Sequence, residues 1–417
     1  MPFPAVPSSA AAPGPRRWFQ ALALLAALAV APPGTLGAAV AQPSPEPAPV
    51  DADHVRISFR NATLGPLRGL PAFVVITGRD ASGALGHLDR TGRARPCSPA
   101  DNVVPWQGRS WCDYAIPLDE LPYLDLDRNQ TLASGRIYLS VGVPLRLRVD
   151  EATLGLVQPD PGNPTDPNRD TWFDWIELNL DGAGFHGNTT CVDQFGLPLA
   201  LTVVPRADPD HPLGPVGITA PRSELFRAFR ASVPAAFQSL ADPAERRILA
   251  PAHGAFGAGG PEGGYLQAYI DRMWRRYRTE ALVLSPAEGT FTGSVDALDQ
   301  LVFTRAADGA RCVIRGKPTT QEAFLGNGVL ARGTVLEKVL GAQLTALLNR
   351  HLLERPGAWR DPAAYYRQEP CNHYARFWHE QGLGHQAYGF AYDDVADQSS
   401  SLATGDPMEI RISVRWD

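Results

Sequence analysis

The sequence has few lysines and no apolar run long enough to cross a bilayer as a helix. Lys317 and Lys338 are the only lysines, and the 417 residues carry a net charge of -6. The densest basic run, at 272–278, is too short to form a basic stripe, so the charge pattern argues against a nucleic-acid-binding protein. A hydrophobic content of 44% is that of a globular protein, and the length suffices for two domains.

Motifs of several other protein classes are also missing. No serine lies in a G-x-S-x-G setting, which argues against a serine hydrolase. The glycine-rich segment 254–264 lacks the Lys-Ser/Thr ending of a phosphate-binding loop and is interpreted as a flexible connector. His379 and His385 are six residues apart, whereas the H-E-x-x-H zinc motif places its histidines four apart. No metal or cofactor is therefore expected.

Cysteines number only five, which leaves at least one unpaired. Cys97 and Cys112 are close enough in sequence for a disulfide in an oxidising compartment. Cys312 and Cys371 are a second possible pair, which would leave Cys191 free. Sequence alone does not fix this pairing.

Residues 1–41 have the features of an export signal. Arg16 and Arg17 precede an apolar run, and an A-x-A cleavage site lies just before Gln42. The arginine pair fits twin-arginine export, and ordinary secretion with a chance pair is the alternative. A Pro-rich spacer follows at 42–51. The mature protein is expected to be secreted under either route.

Hydrophobic periodicity predicts a β-rich part followed by a mixed part. Alternating patterns predict strands at 54–59, 72–77 and 135–149 without helices between them, which favours a sandwich or barrel. After residue 204 the period changes to that of helices. Helices are predicted at 222–240, 264–279, 334–353 and 362–380, and strands at 281–284 and 301–304.

Segment 171–200 carries the most specific pattern in the chain. Polar and apolar residues alternate from Trp175 to Asp181, which predicts a strand with one polar face that carries Glu177. A glycine-containing turn follows and would place Glu177 opposite Asn188 in a hairpin. Asp193 would then lie several residues beyond Glu177, with a gap between the two carboxyl groups.

Two acids separated by a gap suit glycoside hydrolysis with inversion. In that reaction a carboxylic acid protonates the leaving oxygen, and a carboxylate roughly 6.5 to 9.5 Å away activates a water. A solvated sheet face explains the same alternation, because acids are common on such faces. Periodicity alone leaves both interpretations open.

The same segment resembles the signature of glycoside hydrolase family 64, which comprises bacterial β-1,3-glucanases, including laminaripentaose-producing enzymes, with a thaumatin-like fold. The matching residues follow the aromatic-rich strand that ends in Glu177, and they are Gly184, Phe185, Gly187, Asn188, Thr189, Thr190, Val192, Asp193, Phe195, Gly196 and Pro198. The resemblance implies that Glu177 is the general acid and Asp193 the general base. His186 departs from the pattern, since a tryptophan is expected there to stack on a sugar.

The C-terminal part carries the resemblance further. Residues 388–394, the serines at 399–401 and the alternating strand 408–414 are similar to the closing segment of thaumatin-like proteins. The resemblance therefore implies a thaumatin-like β-sandwich or barrel domain at 52–206 that is completed by 384–417. A mixed α/β domain at 207–383 would be inserted into it, with a wide groove between the two domains.

The activity implied by the resemblance is that of a secreted, inverting and monomeric β-1,3-glucanase. It would act on long β-1,3-glucan of the laminarin or curdlan type and release short laminari-oligosaccharides such as the pentaose. Aromatic rings suit sugar faces, and short polar side chains suit either sugar hydroxyls or turn caps. The substrate contacts expected beside the two acids are Trp175, Asn179, His186, Asn188 and Thr190.

Two other functions remain as alternatives. One is a thaumatin-like protein that binds glucan without cleaving it. The other is a structural exported protein whose acids are merely solvated. The presence of both Glu177 and Asp193 favours the enzyme, because the loss of either acid would have favoured binding alone.

Overall fold

The computed structural model describes residues 48–417 of the chain. The predicted signal segment at 1–41 and most of the spacer lie outside the described residues. Among the described residues, none of the helices has the length and apolar character needed to cross a membrane.

Strands and short 3-10 turns make up the regular structure from the first described residue to residue 217. Their alternating burial follows the period of two expected for strands with one face in a core. The strands are β1 (His54–Asn61), β2 (Ala72–Arg79), β3 (Leu85–Leu88), β4 (Ala94–Pro96), β5 (Asn102–Trp106), β6 (Arg109–Cys112), β7 (Ile116–Pro117), β8 (Tyr123–Asp127), β9 (Leu132–Val141), β10 (Arg148–Val149), β11 (Leu156–Val157), β12 (Trp172–Asp181), β13 (Gly184–Thr189), β14 (Gln194–Phe195), β15 (Leu199–Pro205) and β16 (Leu213–Gly217).

Helices and strands alternate in the remainder of the chain. Two of the helices, α4 and α5, begin with a Thr and Glu capping box, which satisfies backbone N–H groups of the first turn. These elements are α1 (Arg222–Ser232), α2 (Ala235–Gln238), β17 (Ile248–Leu249), α3 (Gln267–Arg276), β18 (Leu282–Leu284), β19 (Phe291–Val295), β20 (Leu301–Arg305), β21 (Arg311–Ile314), α4 (Thr320–Leu325), α5 (Val335–Asn349), α6 (His373–Gln381), β22 (Ser401–Thr404) and β23 (Pro407–Val414).

Two sheets pack face to face and form a sandwich. One sheet has the order β16-β15-β23-β1-β8, and the other has the order β22-β13-β12-β9-β2-β3-β4 with β7 against β2. Alternate residues of both sheets, such as Ile57 and Ile412 in the first and Ile137 and Ile176 in the second, form one buried apolar cluster. Burial of this cluster is the main stabilising contribution in the sandwich.

A second hydrophobic core holds the α-helices and the four-stranded sheet β18-β19-β20-β21. Its members run from Cys191 to Phe390 and include the fully buried Phe229, Tyr269 and Trp378. The whole of Pro49–Asp417 nevertheless forms one compact unit. The structure is thus a sheet-rich fold that also contains several helices.

Two of the predicted helices are interrupted in the structure. The helix predicted at 222–240 is split into α1 and α2, because Pro234 stands between them and cannot continue the α1 hydrogen-bond ladder. The helix predicted at 362–380 is a short 3-10 turn at Pro362–Ala364 followed by α6, which begins after Pro370. Proline therefore explains both differences.

All five cysteines are unpaired in the structure, so neither proposed disulfide is formed. Cys112 Sγ donates a hydrogen bond to Asn102 Oδ1 at 3.2 Å. Cys312 lies on β21, whereas Cys371 lies beside His373 just before α6, and the two belong to different elements.

The glycine-rich segment 254–264 is packed rather than a flexible connector. Phe256 is fully buried in it, and its ring centroid lies 4.4 Å from that of Phe237. A Cβ atom on Gly260 would lie 2.3 Å from the Ala255 carbonyl oxygen, so the loop is folded tightly on itself.

Candidate functional site

The outward face of the eight-stranded sheet presents a row of polar side chains. Glu177 on β12 is paired with Arg136 on β9 and with Asn188 on β13. Asn188 is in turn paired with Ser401 on β22. The predicted hairpin pairing of Glu177 with Asn188 is therefore confirmed. In the next row, Asn179 lies opposite His186.

Glu177 is held through one of its two carboxylate oxygens. Arg136 donates a hydrogen bond to Oε1 at 3.1 Å, and the Trp175 indole N–H donates to the same oxygen at 3.4 Å. Arg136 is itself fixed by Gln158, whose Oε1 lies 2.7 Å from a guanidinium nitrogen. Among the described residues, Oε2 of Glu177 has no hydrogen-bond partner, so this oxygen is open to an incoming group.

Asp193 lies in the loop between β13 and β14 and is held in the same one-sided way. Its Oδ1 is 3.0 Å from Nε2 of His253. The backbone supports this contact, because the Ala250 N–H donates to the Asp193 carbonyl at 3.0 Å and β14 pairs with β17. Oδ2 of Asp193 has no hydrogen-bond partner in the part of the chain that the structure describes.

Electrostatics keep Asp193 ionised. Burial alone would raise the pKa of Asp193, but the hydrogen bond from His253 and the charges of His253 and Arg136 outweigh burial, so the pKa is lowered. Burial likewise opposes the charged form of His253, yet the hydrogen bond and charge of Asp193, with a smaller contribution from Asp160, raise its pKa. An ionised Asp193 beside a proton-holding His253 is the favoured state of the pair.

Arg136 and Tyr138 are influenced by the charges of both carboxyl groups. Burial lowers the pKa of Arg136, but Tyr138, Glu177 and Asp193 together more than offset it and raise the pKa. Burial raises the pKa of Tyr138, and both Glu177 and Asp193 raise it further. Both acids are therefore close enough to act on the same two side chains, which places them in one electrostatic cluster.

A buried carboxyl group, Asp174, fixes the backbone that follows Asp193. Its Oδ2 accepts hydrogen bonds from the N–H groups of Gly196 at 2.7 Å and Leu197 at 3.2 Å. Burial raises the pKa of Asp174 to about 7 although backbone N–H groups and Arg247 favour the charged form. A Cβ atom on Gly196 would lie 2.0 Å from the Phe173 carbonyl oxygen, so only glycine allows this close approach.

A depression of about 300 Å³ lies over the polar rows. It shares Asn179 and His186 with an adjoining depression of about 450 Å³ that lies over the paired strands β13 and β22. A larger depression of about 640 Å³, lined by Trp106 and Arg169 among others, contains neither acid, so size alone does not identify the site. The first depression is lined by Ser134, Gly135, Arg136, Glu177, Leu178, Asn179, His186 and Asn188.

Trp175 and Thr190 support the site rather than line it. Trp175 is only 2% exposed, with the Arg136 guanidinium 5.1 Å from its ring centroid. Its ring is therefore covered and does not offer a face to a sugar, contrary to the contact expected from strand parity. Thr190 is buried and accepts a hydrogen bond from the Val192 N–H at 3.2 Å, which is the turn-capping role.

Sequence reasoning missed His253, Asp174 and the contact of Arg136 with Glu177. Arg136 stands on the polar face of a predicted strand, so pairing of that strand with β12 would have indicated it. His253 lies 60 residues from Asp193, just before the glycine-rich segment 254–264, and no local pattern marks it.

Comparison with known proteins agrees with the geometry. The model of glycoside hydrolase family 64, described as beta-1,3-glucanase, matches residues 53–414. The chain belongs to glycoside hydrolase family 64. This membership confirms the family that the sequence resembles.

Individual relatives are similar over most of the chain. A glucan endo-1,3-beta-glucosidase of Cellulosimicrobium cellulans is 30% identical over 298 residues, which are 67% of this chain and 52% of that protein. The chain thus spans about half the length of the curated relatives that it matches.

Solved structures of this family share the fold. A beta-1,3-glucanase domain from Clostridium beijerinckii matches with a TM-score of 0.81 and 32% identity, over 88% of this chain and all of that one. A laminaripentaose-producing beta-1,3-glucanase from Paenibacillus barengoltzii, complexed with laminarihexaose, matches with a TM-score of 0.69 and 29% identity, over 89% of this chain and 76% of that one.

Proposed function

We propose that the chain hydrolyses β-1,3-glucan with inversion, with Glu177 as the general acid and Asp193 as the general base. The observation that carries this proposal is that the two carboxyl groups are held in the same way. Each has one oxygen held by a cationic side chain, Arg136 or His253, and a second oxygen without a partner among the described residues. Two acids in one polar cluster, each with an open oxygen, are what acid and base catalysis on one bond requires.

The proposed reaction breaks the glycosidic bond in a single displacement. Glu177 Oε2 donates its proton to the leaving oxygen, and Asp193 Oδ2 accepts a proton from a water as that water attacks the anomeric carbon from the opposite side. The products are an α-configured reducing end and a chain with a new hydroxyl group. Arg136 stabilises the Glu177 carboxylate that forms when the proton leaves. Solvent then returns a proton to Glu177 and removes one from Asp193.

Glucan is proposed to lie along the depression over β12 and β13. Asn179, His186 and Asn188 line it, and all three offer hydrogen-bonding groups suited to sugar hydroxyls. A relative of this fold was crystallised with laminarihexaose, which supports a site that accepts several glucose units. Release of short oligosaccharides, such as the pentaose, follows as the proposed product pattern.

The same proposal includes the architecture and the location of the protein. The sandwich is proposed to be thaumatin-like, with 52–206 completed by 384–417 and with 207–383 as the inserted mixed domain. The return of β22 and β23 to the two sheets after the helices supports this division. Secretion as a monomer after cleavage near Gln42 is proposed from the signal features, and mass spectrometry of the exported protein would find Met1 still present if cleavage does not occur.

Digestion of linear β-1,3-glucan tests the activity. The purified chain is incubated with the polymer, and the products are separated by size. We expect soluble laminari-oligosaccharides and new reducing ends. Binding to the insoluble polymer without new reducing ends would instead identify a glucan-binding protein.

A further inference from the structure

A second cluster of reactive side chains lies at the start of α6, beside the helical core. Glu369, Cys371 and His373 alternate along one short segment, and one ligand atom from each lies within 4.8 Å of the other two. Cys371 Sγ is 3.7 Å from His373 Nε2, and the nearer Glu369 oxygen is 2.8 Å from the same nitrogen. These residues take no part in the chemistry proposed for Glu177 and Asp193.

We propose that Glu369, Cys371 and His373 bind one zinc-class divalent metal ion. Thiolate, imidazole and carboxylate are the three ligand types that Zn²⁺ takes in proteins. Zn–S and Zn–N bonds of about 2.3 and 2.05 Å at a tetrahedral angle place sulfur and nitrogen about 3.6 Å apart. The separation of 3.7 Å between Cys371 and His373 matches that value.

Glu369 supplies the third ligand once its side chain moves away from His373. Its oxygen is closer to His373 than the roughly 3.3 Å that a tetrahedral zinc site requires, because the two groups now share a hydrogen bond. The Glu369 side chain is 64% exposed and is therefore free to move away from His373.

The backbone around the three ligands is already held in place. The Pro370 carbonyl accepts from the His351 ring at 2.7 Å, and Asn372 donates to the Asn349 side chain at 2.8 Å. Tyr265 Oη lies 3.3 Å from Glu369 Oε2 and donates to the Cys371 carbonyl. Partners behind the ligands orient metal sites in the same way, so little ordering remains to be done when an ion binds.

Two other interpretations, a nucleophilic triad and a simple ion pair, explain the arrangement of the three residues less completely than a metal ion does. A Cys-His-Glu triad would need an accessible sulfur, but Cys371 is 0% exposed and burial raises its pKa to about 12. An ion pair between His373 and Glu369 involves those two residues but not the sulfur beside them. A bound cation would favour the Cys371 thiolate and release its proton, so the apparent affinity should rise with pH.

Metal titration of the full chain tests the proposal. The protein is stripped with a chelator, kept reduced with a phosphine and titrated with zinc sulfate by calorimetry. We expect one ion per chain and a higher Tm in the presence of zinc, because the ion binds the folded state. Cobalt(II) should give the near-ultraviolet absorption of a cobalt–thiolate bond.

Variants locate the ion. Cys371→Ser should lose the cobalt–thiolate absorption, and Glu369→Gln should weaken zinc binding by about tenfold or more. Cys312→Ser is the matched buried thiol and Glu380→Gln the matched exposed acid, and both should bind as the parent chain does. If Cys371→Ser fails to fold, Glu369→Gln decides alone. The proposal would be overturned if the parent chain did not bind one zinc ion. It would also be overturned if Glu369→Gln bound zinc with unchanged affinity, or if Cys371→Ser kept the cobalt–thiolate absorption.

Discussion

Asp193 Oδ1 lies 3.0 Å from Nε2 of His253, a residue 60 positions further along the chain. The contact joins the loop after β13 to the loop after β17, and a backbone hydrogen bond from Ala250 to Asp193 reinforces it. His253 thus fixes the direction of the proposed base and favours its charged form. It is a positioning residue, since no contact with substrate is required of it.

Replacement of His253 by glutamine should shift the acid limb of the pH profile of kcat to higher pH. The pKa of Asp193 is lowered because the hydrogen bond and charge of His253 outweigh burial, so removal of that charge lets burial raise the pKa. kcat should then fall more at pH 5 than at pH 7, with KM little changed. Full pH profiles of kcat measure this.

His211→Gln is the control for that variant, because His211 makes a similar 2.8 Å contact with Asp208 on the exposed surface. Its profile should overlay that of the parent chain. An acid limb that does not move in His253→Gln would contradict the positioning role.

The pair of Asp193 and His253 also affects stability. The lowered pKa of Asp193 stabilises the fold at pH values above the ordinary pKa of an aspartate, and that stabilisation disappears as the pH falls through the lowered pKa.

Glu177→Gln should abolish hydrolysis while leaving the fold intact. The amide oxygen can still accept from Arg136 and Trp175, but the side chain cannot donate the proton to the leaving oxygen. We expect kcat to fall on the order of a hundredfold or more, with glucan binding and Tm nearly unchanged. Glu151→Gln, an exposed acid paired with Arg148, serves as the control. Near-normal turnover in Glu177→Gln would contradict its role as the acid.

The anomeric form of the first product tests the role of Asp193. If Asp193 activates a water, the reducing end released first is α, opposite to the β bond that is broken. Proton NMR during early hydrolysis distinguishes the two anomers before they equilibrate. A β product appearing first would indicate a covalent intermediate and would exclude the base role.

Asp174→Asn should destabilise the protein and lower kcat together. The amide nitrogen cannot accept hydrogen bonds, so it leaves buried N–H groups of Trp175, or of Gly196 and Leu197, without an acceptor. The expected cost is about 1–3 kcal/mol in the free energy of unfolding, measured by chemical denaturation. The loss in kcat follows because these N–H groups fix the backbone after Asp193.

Asp80→Asn is the matched control, because Asp80 also accepts from two backbone N–H groups, of Ser82 and Ala84, but on the surface. Its cost should stay within about 0.5 kcal/mol. Equal destabilisation by the two variants would mean that the burial of Asp174 does not increase the cost of losing its hydrogen bonds.

Local patterns in the sequence predicted the β12–β13 hairpin and its register. The glycine-containing turn and the alternation on both sides are short-range features, and they correctly paired Glu177 with Asn188. Trp175 shows the limit of such reasoning. Strand parity placed it on the polar face, but Arg136 and Tyr138 from the neighbouring strand cover its ring. The neighbouring side chains that cover a ring depend on the order of the strands in the sheet, and hydrophobic periodicity does not predict that order.

Long-range contacts account for the rest of what the sequence did not predict. His253 contacts Asp193 from a distant segment, and Asp174 acts on the same loop from the opposite face of its strand. Neither residue is therefore part of a local sequence motif. Pro234 was an available local signal, and it should have divided the helix predicted at 222–240.

The position of β23 has a consequence for how the chain folds. This strand lies in the middle of the five-stranded sheet, between β15 and β1, and pairs in parallel with β1 so that Arg56 meets Glu409. At a synthesis rate of about 5–20 residues per second, β1 emerges roughly 20 to 70 s before its partner. Non-local parallel pairing is slow, and unpaired strand edges attract other chains. A chain cut short before Pro407 should therefore aggregate rather than fold into a smaller sandwich.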